Sequence, residues 1–183
     1  MNSTLIYTID NNDKVVSTNS EWTTFAKQND AASLEYSVHG KSIWNFIGVD
    51  KLKKLYVLLF DGVRSTHNAV SINFRCDNSQ VLKFMNMNIE PLQDGFLKIS
   101  TRLLREISRK RALAREVFYL GINNGIPMCS NCNRIYIGKN SSWIEIEKAL
   151  GEDLISDELN VTFDVCNECM DYFDKTIDNL HKS

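Results

Sequence analysis

Two Cys-x-x-Cys steps, Cys129-Ser130-Asn131-Cys132 and Cys166-Asn167-Glu168-Cys169, constrain this chain more than any other feature. Two residues between cysteines let one tight turn aim both sulfurs at a common point. A second turn alongside completes a tetrahedral donor set. Zinc accepts four thiolates at about 2.3 Å and imposes no geometry of its own. All four positions are sulfur, so no coordination site is left for water or substrate, and one structural Zn2+ per chain is expected. Iron is the competing occupant, because four thiolates also hold iron or an iron–sulfur cluster. A dithiol redox motif would need only one such step, opening a helix after a strand. Disulfides are disfavoured, since each pair would close almost no loop and no charged-then-apolar leader follows Met1. Reduced thiols and a cytoplasmic setting are therefore expected.

Charge narrows the partners. Lys and Arg total 21 against 23 Asp and Glu, a formal net charge of −2. Four zinc-bound thiolates would make the loaded protein more acidic still, which disfavours nucleic acid. The rival reading of a zinc-structured nucleic-acid binder would have to use the arginines from Arg102 to Arg115 as its footprint. No apolar run approaches the roughly 20 residues that cross a bilayer, so no membrane association is expected.

The first hundred residues read as α+β. Leu5, Tyr7 and Ile9 alternate with Ile6 and Thr8, and the Asp10–Asp13 turn leads to a second strand at Lys14–Ser17. Ser20 is the expected cap of a helix carrying Trp22, Phe25 and Ala26. A short apolar helical turn is expected around Gly40–Gly48, closed by the glycine. Asp50 is the expected cap of a longer helix with Leu52, Leu55, Tyr56, Leu59 and Val63 on one stripe. Three strand-like runs close the region: Val70–Cys76, Val81–Ile89 and Phe96–Ser100.

Leu5-Ile6-Tyr7-Thr8-Ile9-Asp10, Asn19-Ser20-Glu21-Trp22-Thr23-Thr24-Phe25-Ala26 and Gly40-Lys41-Ser42-Ile43-Trp44-Asn45-Phe46-Ile47, in that order, resemble the PAS sensor fold of bacterial signalling proteins over residues 3–101. The resemblance implies a five-stranded antiparallel sheet with helices on one face and residues 1–101 as a sensor domain. It also implies a homodimer, and an interior that takes a small-molecule ligand. Trp22, Phe25, Trp44, Phe74 and Met85 are the candidate lining, with ordinary core packing as the alternative for the aromatics.

Residues 102–120 read as a linker helix, with Leu103, Leu104, Ile107, Ala114, Val117 and Phe118 among six basic residues. It either packs on its own sheet or pairs with a second protomer, although Lys110 and Arg111 interrupt a heptad seam. Residues 121–183 form the cysteine module. Ser142-x-x-Glu145 is a capping-box pattern ahead of a helix with Trp143, Ile146 and Leu150, and Met170, Phe173, Ile177 and Leu180 stripe a final helix. Met128–Ile135, Trp143–Glu147 and Cys166–Cys169 resemble a cysteine module appended to bacterial sensors and regulators. In that pattern Thr-His-Gly often precedes the second pair, where this chain has Thr162-Phe163-Asp164.

No catalytic constellation stands out, and the chain reads as a non-enzyme. His39 and His181 read as loop and tail residues, and His67 as a helix-terminal residue rather than a haem ligand. Cys76 reads as a small core residue on its strand. The expected whole is a signalling protein: a PAS-like sensing or dimerisation domain, a linker helix, and a zinc-stabilised module that docks a signalling partner. A thiol–zinc redox sensor is the further alternative.

Overall fold

The computed structural model describes residues 4–28, 38–110, 125–138, 142–156 and 159–182. Asp10 makes the first turn: its Oδ1 accepts from the main-chain N–H of Asn12 and of Lys14, both at 2.9 Å. Asp13 adopts the left-handed backbone there, φ 60°. The turn folds strand β1 (Leu5–Ile9) against β2 (Val15–Thr18). Helix α1 (Ser20–Gln28) follows, then a 3-10 turn at Ile43–Phe46 and helix α2 (Asp50–Thr66). Strands β3 (Val70–Arg75), β4 (Val81–Pro91) and β5 (Leu97–Ser108) complete a five-stranded antiparallel sheet in the order β2-β1-β5-β4-β3. A second sheet, ordered β8-β7-β6-β9, comprises β6 (Ile126–Cys129), β7 (Ile135–Ile137), β8 (Ser142–Ile144) and β9 (Val161–Asp164). Helix α3 (Ile146–Gly151) precedes β9, and α4 (Asn167–Leu180) ends the chain.

The chain divides into two compact units, and both are assembled from separate stretches of sequence. The first takes residues 1–72, 86–103 and 173–183 and the second 73–85 and 104–172. In the first, Leu55, Tyr56, Leu59, Phe60 and Val63 put one face of α2 into a core with Ile9, Ile72, Ile89, Leu97 and Ile99. The fully buried Phe173 of α4 meets Tyr56 edge to face at 5.6 Å. Arg64 ties the turns together, donating to Asp10 O at 3.0 Å, Asp13 Oδ1 at 2.6 Å and Gly95 O at 2.9 Å.

The second unit has its own core of Met128, Ile135, Ile146, Ala149, Leu150, Leu159 and Val161. Its β6 and β9 run parallel, from Ile126 beside Val161 to Cys129 beside Asp164. Gly125 makes this pairing possible, because a Cβ there would lie 2.7 Å from Val161 C and 2.8 Å from Thr162 N.

Several expectations are corrected. Residues 102–108 belong to strand β5, not to a linker helix. Their apolar residues fit a strand as well as a helix, and pairing decides: β4 runs eleven residues, and Arg109 N–H still donates to Gln80 O at 2.8 Å just past the strand end. The remainder of that expected helix, 111–120, lies outside the described residues. Asn19, not Ser20, caps α1, its Oδ1 accepting from Trp22 N–H at 3.2 Å. Asp50 is the first helical residue of α2, placed to favour the positive helix end, and not its cap. Ser142 to Ile144 form β8 rather than the start of a helix, so the Ser142-x-x-Glu145 box does not form. Cys76 lies past the end of β3 and is exposed, so it is not a core residue.

Candidate metal centre

Parallel pairing of β6 and β9 sets Cys129 beside Asp164, which delivers the two cysteine turns to the same sheet end. Ser130 N–H donates to Asp164 O at 2.8 Å and locks the turns together. The first turn closes through Cys129 N–H to Arg134 O at 2.8 Å and Asn133 N–H to Cys129 O at 2.9 Å, with Asn133 left-handed at φ 58°. The second enters α4 directly, as Met170 N–H donates to Cys166 O at 2.9 Å.

All four predicted cysteines come together. The sulfurs of Cys129, Cys132, Cys166 and Cys169 lie within 4.8 Å of one another, a group that can hold a metal ion. Cys132 Sγ and Cys166 Sγ are 3.7 Å apart. Cys166 N–H donates to Cys129 Sγ at 3.4 Å, and Asn131 Nδ2 donates to Cys169 Sγ at 3.4 Å. Cys129 and Cys166 are 0% exposed and Cys169 6%, whereas Cys132 is only half-buried.

The thiols alone cannot share this space as four anions. Cys132 and Cys169 donate to Cys129 and pull its pKa far below the ordinary thiol value. The same bond to Cys129 pushes Cys132 up and Cys169 up to about 12, while burial pushes Cys166 up. The cluster by itself therefore favours one thiolate among four sulfurs. A cation removes that restriction, because a coordinating thiol deprotonates outright.

Asn131, inside the first Cys-x-x-Cys step, is the functional residue the sequence reading passed over. It is 5% exposed. Its Nδ2 donates to Asn73 O at 3.3 Å as well as to the Cys169 sulfur. Its main-chain O accepts from Arg75 N–H at 2.8 Å, and its Oδ1 has no hydrogen-bond partner. Tyr172 Oη accepts from Asn73 N–H at 3.0 Å. Residues 73–75 are the end of an edge strand, and groups beside the cysteines satisfy its outward main-chain atoms.

A charged network adjoins the centre. Arg134, two residues after Cys132, donates to Glu145 Oε1 at 3.1 Å and to Glu168. Arg75 donates to Glu145 Oε2 at 3.0 Å and to both oxygens of Asp77. Arg109, with a side chain 2% exposed, reaches Asp77 at 3.3 Å and also pairs with Glu147. Burial pulls the Arg109 guanidinium below its ordinary pKa, against the opposing pull of Asp77. Phe84 has two guanidinium groups over its ring, Arg75 at 4.8 Å and Arg105 at 4.4 Å from the centroid. Of the basic residues expected to form a nucleic-acid footprint, Arg105 and Arg109 are thus engaged within the protein.

Of the five candidate lining residues, Trp22, Phe25 and Trp44 fall in the first unit and Phe74 and Met85 in the second. In the first unit Trp22 packs edge-on against Tyr7 at 5.5 Å with its indole N–H buried and unpartnered, and Phe25 is 41% exposed. Trp44 lies 5.4 Å from Phe60 and donates Nε1–H to Asp13 Oδ2 at 2.9 Å. Phe74 and Met85 are half-buried on β3 and β4 in the second unit. One cleft of about 550 Å³ is formed by Arg64, His67 and Pro91–Phe96. A second, of about 660 Å³, lies among Leu82, Ile107, Arg109, Lys110, Glu147 and Leu150. Neither is lined by any of the five.

His67 terminates α2 in a left-handed conformation, its N–H donating to Val63 O, and His39 Nε2 lies 3.3 Å from Thr18 Oγ1. No helix among the described residues is long and apolar enough to cross a membrane. A scan against protein-family models finds no match, and a search of curated proteins finds none either.

Proposed function

We propose that this chain is a non-enzymatic signalling module, in which a PAS-like sensing or dimerisation domain is coupled to a zinc-structured cysteine module that docks a partner protein. The gathering of four sulfurs within 4.8 Å carries the reading. Zinc–sulfur bonds of about 2.3 Å place sulfurs about 3.8 Å apart at tetrahedral angles, and Cys132 and Cys166 already stand 3.7 Å apart. An all-thiolate set with three members buried leaves no open position for a reacting molecule, which favours a structural ion.

Support for the PAS-like part is the element order. Two strands, helices and three further strands join one antiparallel sheet, with α2 supplying a helical face to its core. Fold alone does not assign function, so the sensing role rests on the resemblance of residues 3–101. Sensing would act through the interior, with a small molecule favouring one of two packings by its differential affinity. Output through a protein partner fits better than output through nucleic acid, given the engaged arginines and the net charge of −2.

Native mass spectrometry of reduced, tag-free protein tests the reading in one measurement. One zinc per chain and a dimer of the 21.0 kDa protomer are expected. Iron, no metal, or a monomer at micromolar concentration would each remove the corresponding part.

A further inference from the structure

The four sulfurs are not equivalent, and their differences point to a site of chemical modification. Cys129 and Cys166 are sealed at 0% exposure, and Cys169 at 6%. Cys169 is also covered by the Asn131 amide, which donates to its sulfur at 3.4 Å. Cys132 alone is half-buried and within reach of a small solute. One of its sulfur neighbours belongs to the other turn: Cys166 Sγ stands 3.7 Å away. Arg134, two residues on, is held by Glu145 and Glu168.

We propose that Cys132 is the oxidant-accessible ligand of this centre, that Cys166 is its resolving partner, and that their disulfide releases the metal. This rests on the metal-centre reading above. Hydroperoxides are the oxidant class, since they are small enough to reach a half-buried sulfur and are attacked by thiolate. The Cys132 thiolate attacks one peroxide oxygen, the O–O bond breaks, and the sulfur becomes a sulfenic acid as hydroxide leaves. The Cys166 thiolate then attacks the Cys132 sulfur, forming the S–S bond and expelling the second oxygen as hydroxide. Two thiolates lose two electrons in total, and one hydroperoxide is reduced to two hydroxides (water at neutral pH) when it is hydrogen peroxide. Two ligands are then lost to the ion, leaving Cys129 and Cys169, and a set of two thiolates no longer closes a four-coordinate site. A dithiol reductant reverses the bond and restores the donor set.

Cys76, which is exposed and outside the four-cysteine group, is the competing target. The test therefore uses the full chain and its Cys76→Ser variant, both loaded with zinc and checked by elemental analysis before oxidation. Hydrogen peroxide is added in substoichiometric steps. A chromogenic chelator reads released zinc, and peptide mapping without reductant reads the disulfides. Zinc release should track a Cys132–Cys166 disulfide in one-to-one proportion, equally in both proteins, and reductant plus zinc should restore loading. A first disulfide joining Cys129 to Cys132 or Cys166 to Cys169, or zinc retained while only Cys76 is oxidised, would overturn the inference and leave the metal reading intact. A reduced chain that takes up no zinc at the outset would remove both.

Discussion

Replacing Asn131 by alanine separates a structural role from a metal-supporting one. The side chain makes two donations, to Asn73 O at 3.3 Å and to Cys169 Sγ at 3.4 Å. Losing the first removes a neutral hydrogen bond at the edge of β3, at a cost of about 0.5–1.5 kcal/mol. That cost is present with or without metal. The second bond differs between the two forms. In the metal-free cluster Cys169 holds its proton, with a pKa pushed up to about 12, and accepts weakly. With an ion bound it is a thiolate, and a hydrogen bond to a charged group contributes about 1.5–3 kcal/mol. The alanine variant should therefore lose more stability loaded than empty, and by linkage the difference is its loss in metal affinity. At 1.4 kcal/mol per factor of ten, the expected weakening is roughly 10–100-fold, the usual range for groups that orient metal ligands.

Urea unfolding of both forms and chelator competition measure the two sides of this cycle. Asn131→Asp adds a second criterion. It keeps the unpartnered oxygen position but replaces the donor with a carboxylate facing a thiolate, so it should bind metal more weakly than Asn131→Ala. If Asn131 merely fills space and closes the strand edge, the isosteric Asp variant would be the milder of the two. That order, or an alanine variant with wild-type metal affinity, would refute the argument.

The other predictions follow from single contacts. Gly125→Ala should cost about 1–3 kcal/mol, because its Cβ meets backbone atoms of Val161 and Thr162 that cannot move without opening the β6–β9 pair. A variant with an unchanged denaturation midpoint would show that this pairing is looser than described. Phe173→Ala should cost about 3–5 kcal/mol, since the ring is fully buried against Tyr56. Thermal unfolding reads that loss, and a shift of under a degree would contradict the packing. Metal affinity should fall as pH is lowered, because Cys132, Cys166 and Cys169 hold protons above the ordinary thiol range and the ion must displace them. A flat chelator-competition profile between about pH 6 and about pH 8 would argue against thiolate ligation.

What the sequence disclosed depended on how local the determining interaction is. The four-cysteine group was legible because each half of it is a four-residue spacing, and the spacing occurs twice. The α2 stripe and the strands β1, β3 and β4 were legible for the same reason: their periodicity stands within a single segment. The stretch 102–108 was misread because Leu103, Leu104 and Ile107 satisfy helical spacing, while their actual conformation is set by hydrogen bonds to β4 that no local pattern contains. The second sheet was missed because strands of three or four residues carry too few alternations to register. Its core, in which Met128, Ile135, Ile146 and Val161 are buried together, gives the cysteine module apolar support of its own.

Met128, Ile135 and Val161 give the second sheet a core apart from the cysteines. The cysteine turns do something the core cannot. Residue 75 of the edge strand donates its N–H to Asn131, residue 73 donates to Tyr172 and accepts from Asn131, and Asn131 in turn donates to a ligand sulfur. An edge strand with open main-chain groups invites pairing with another chain. Here the turn that carries Cys129 and Cys132 closes that edge. Whatever alters the cysteine centre, by loading, emptying or oxidation, therefore acts first on the hydrogen bonds of Asn73 and Arg75. Amide exchange at Arg75, compared between loaded and empty protein, is where a change at the metal should first be read in the sheet. Equal protection in the two forms would mean that the closed edge is held by the core alone.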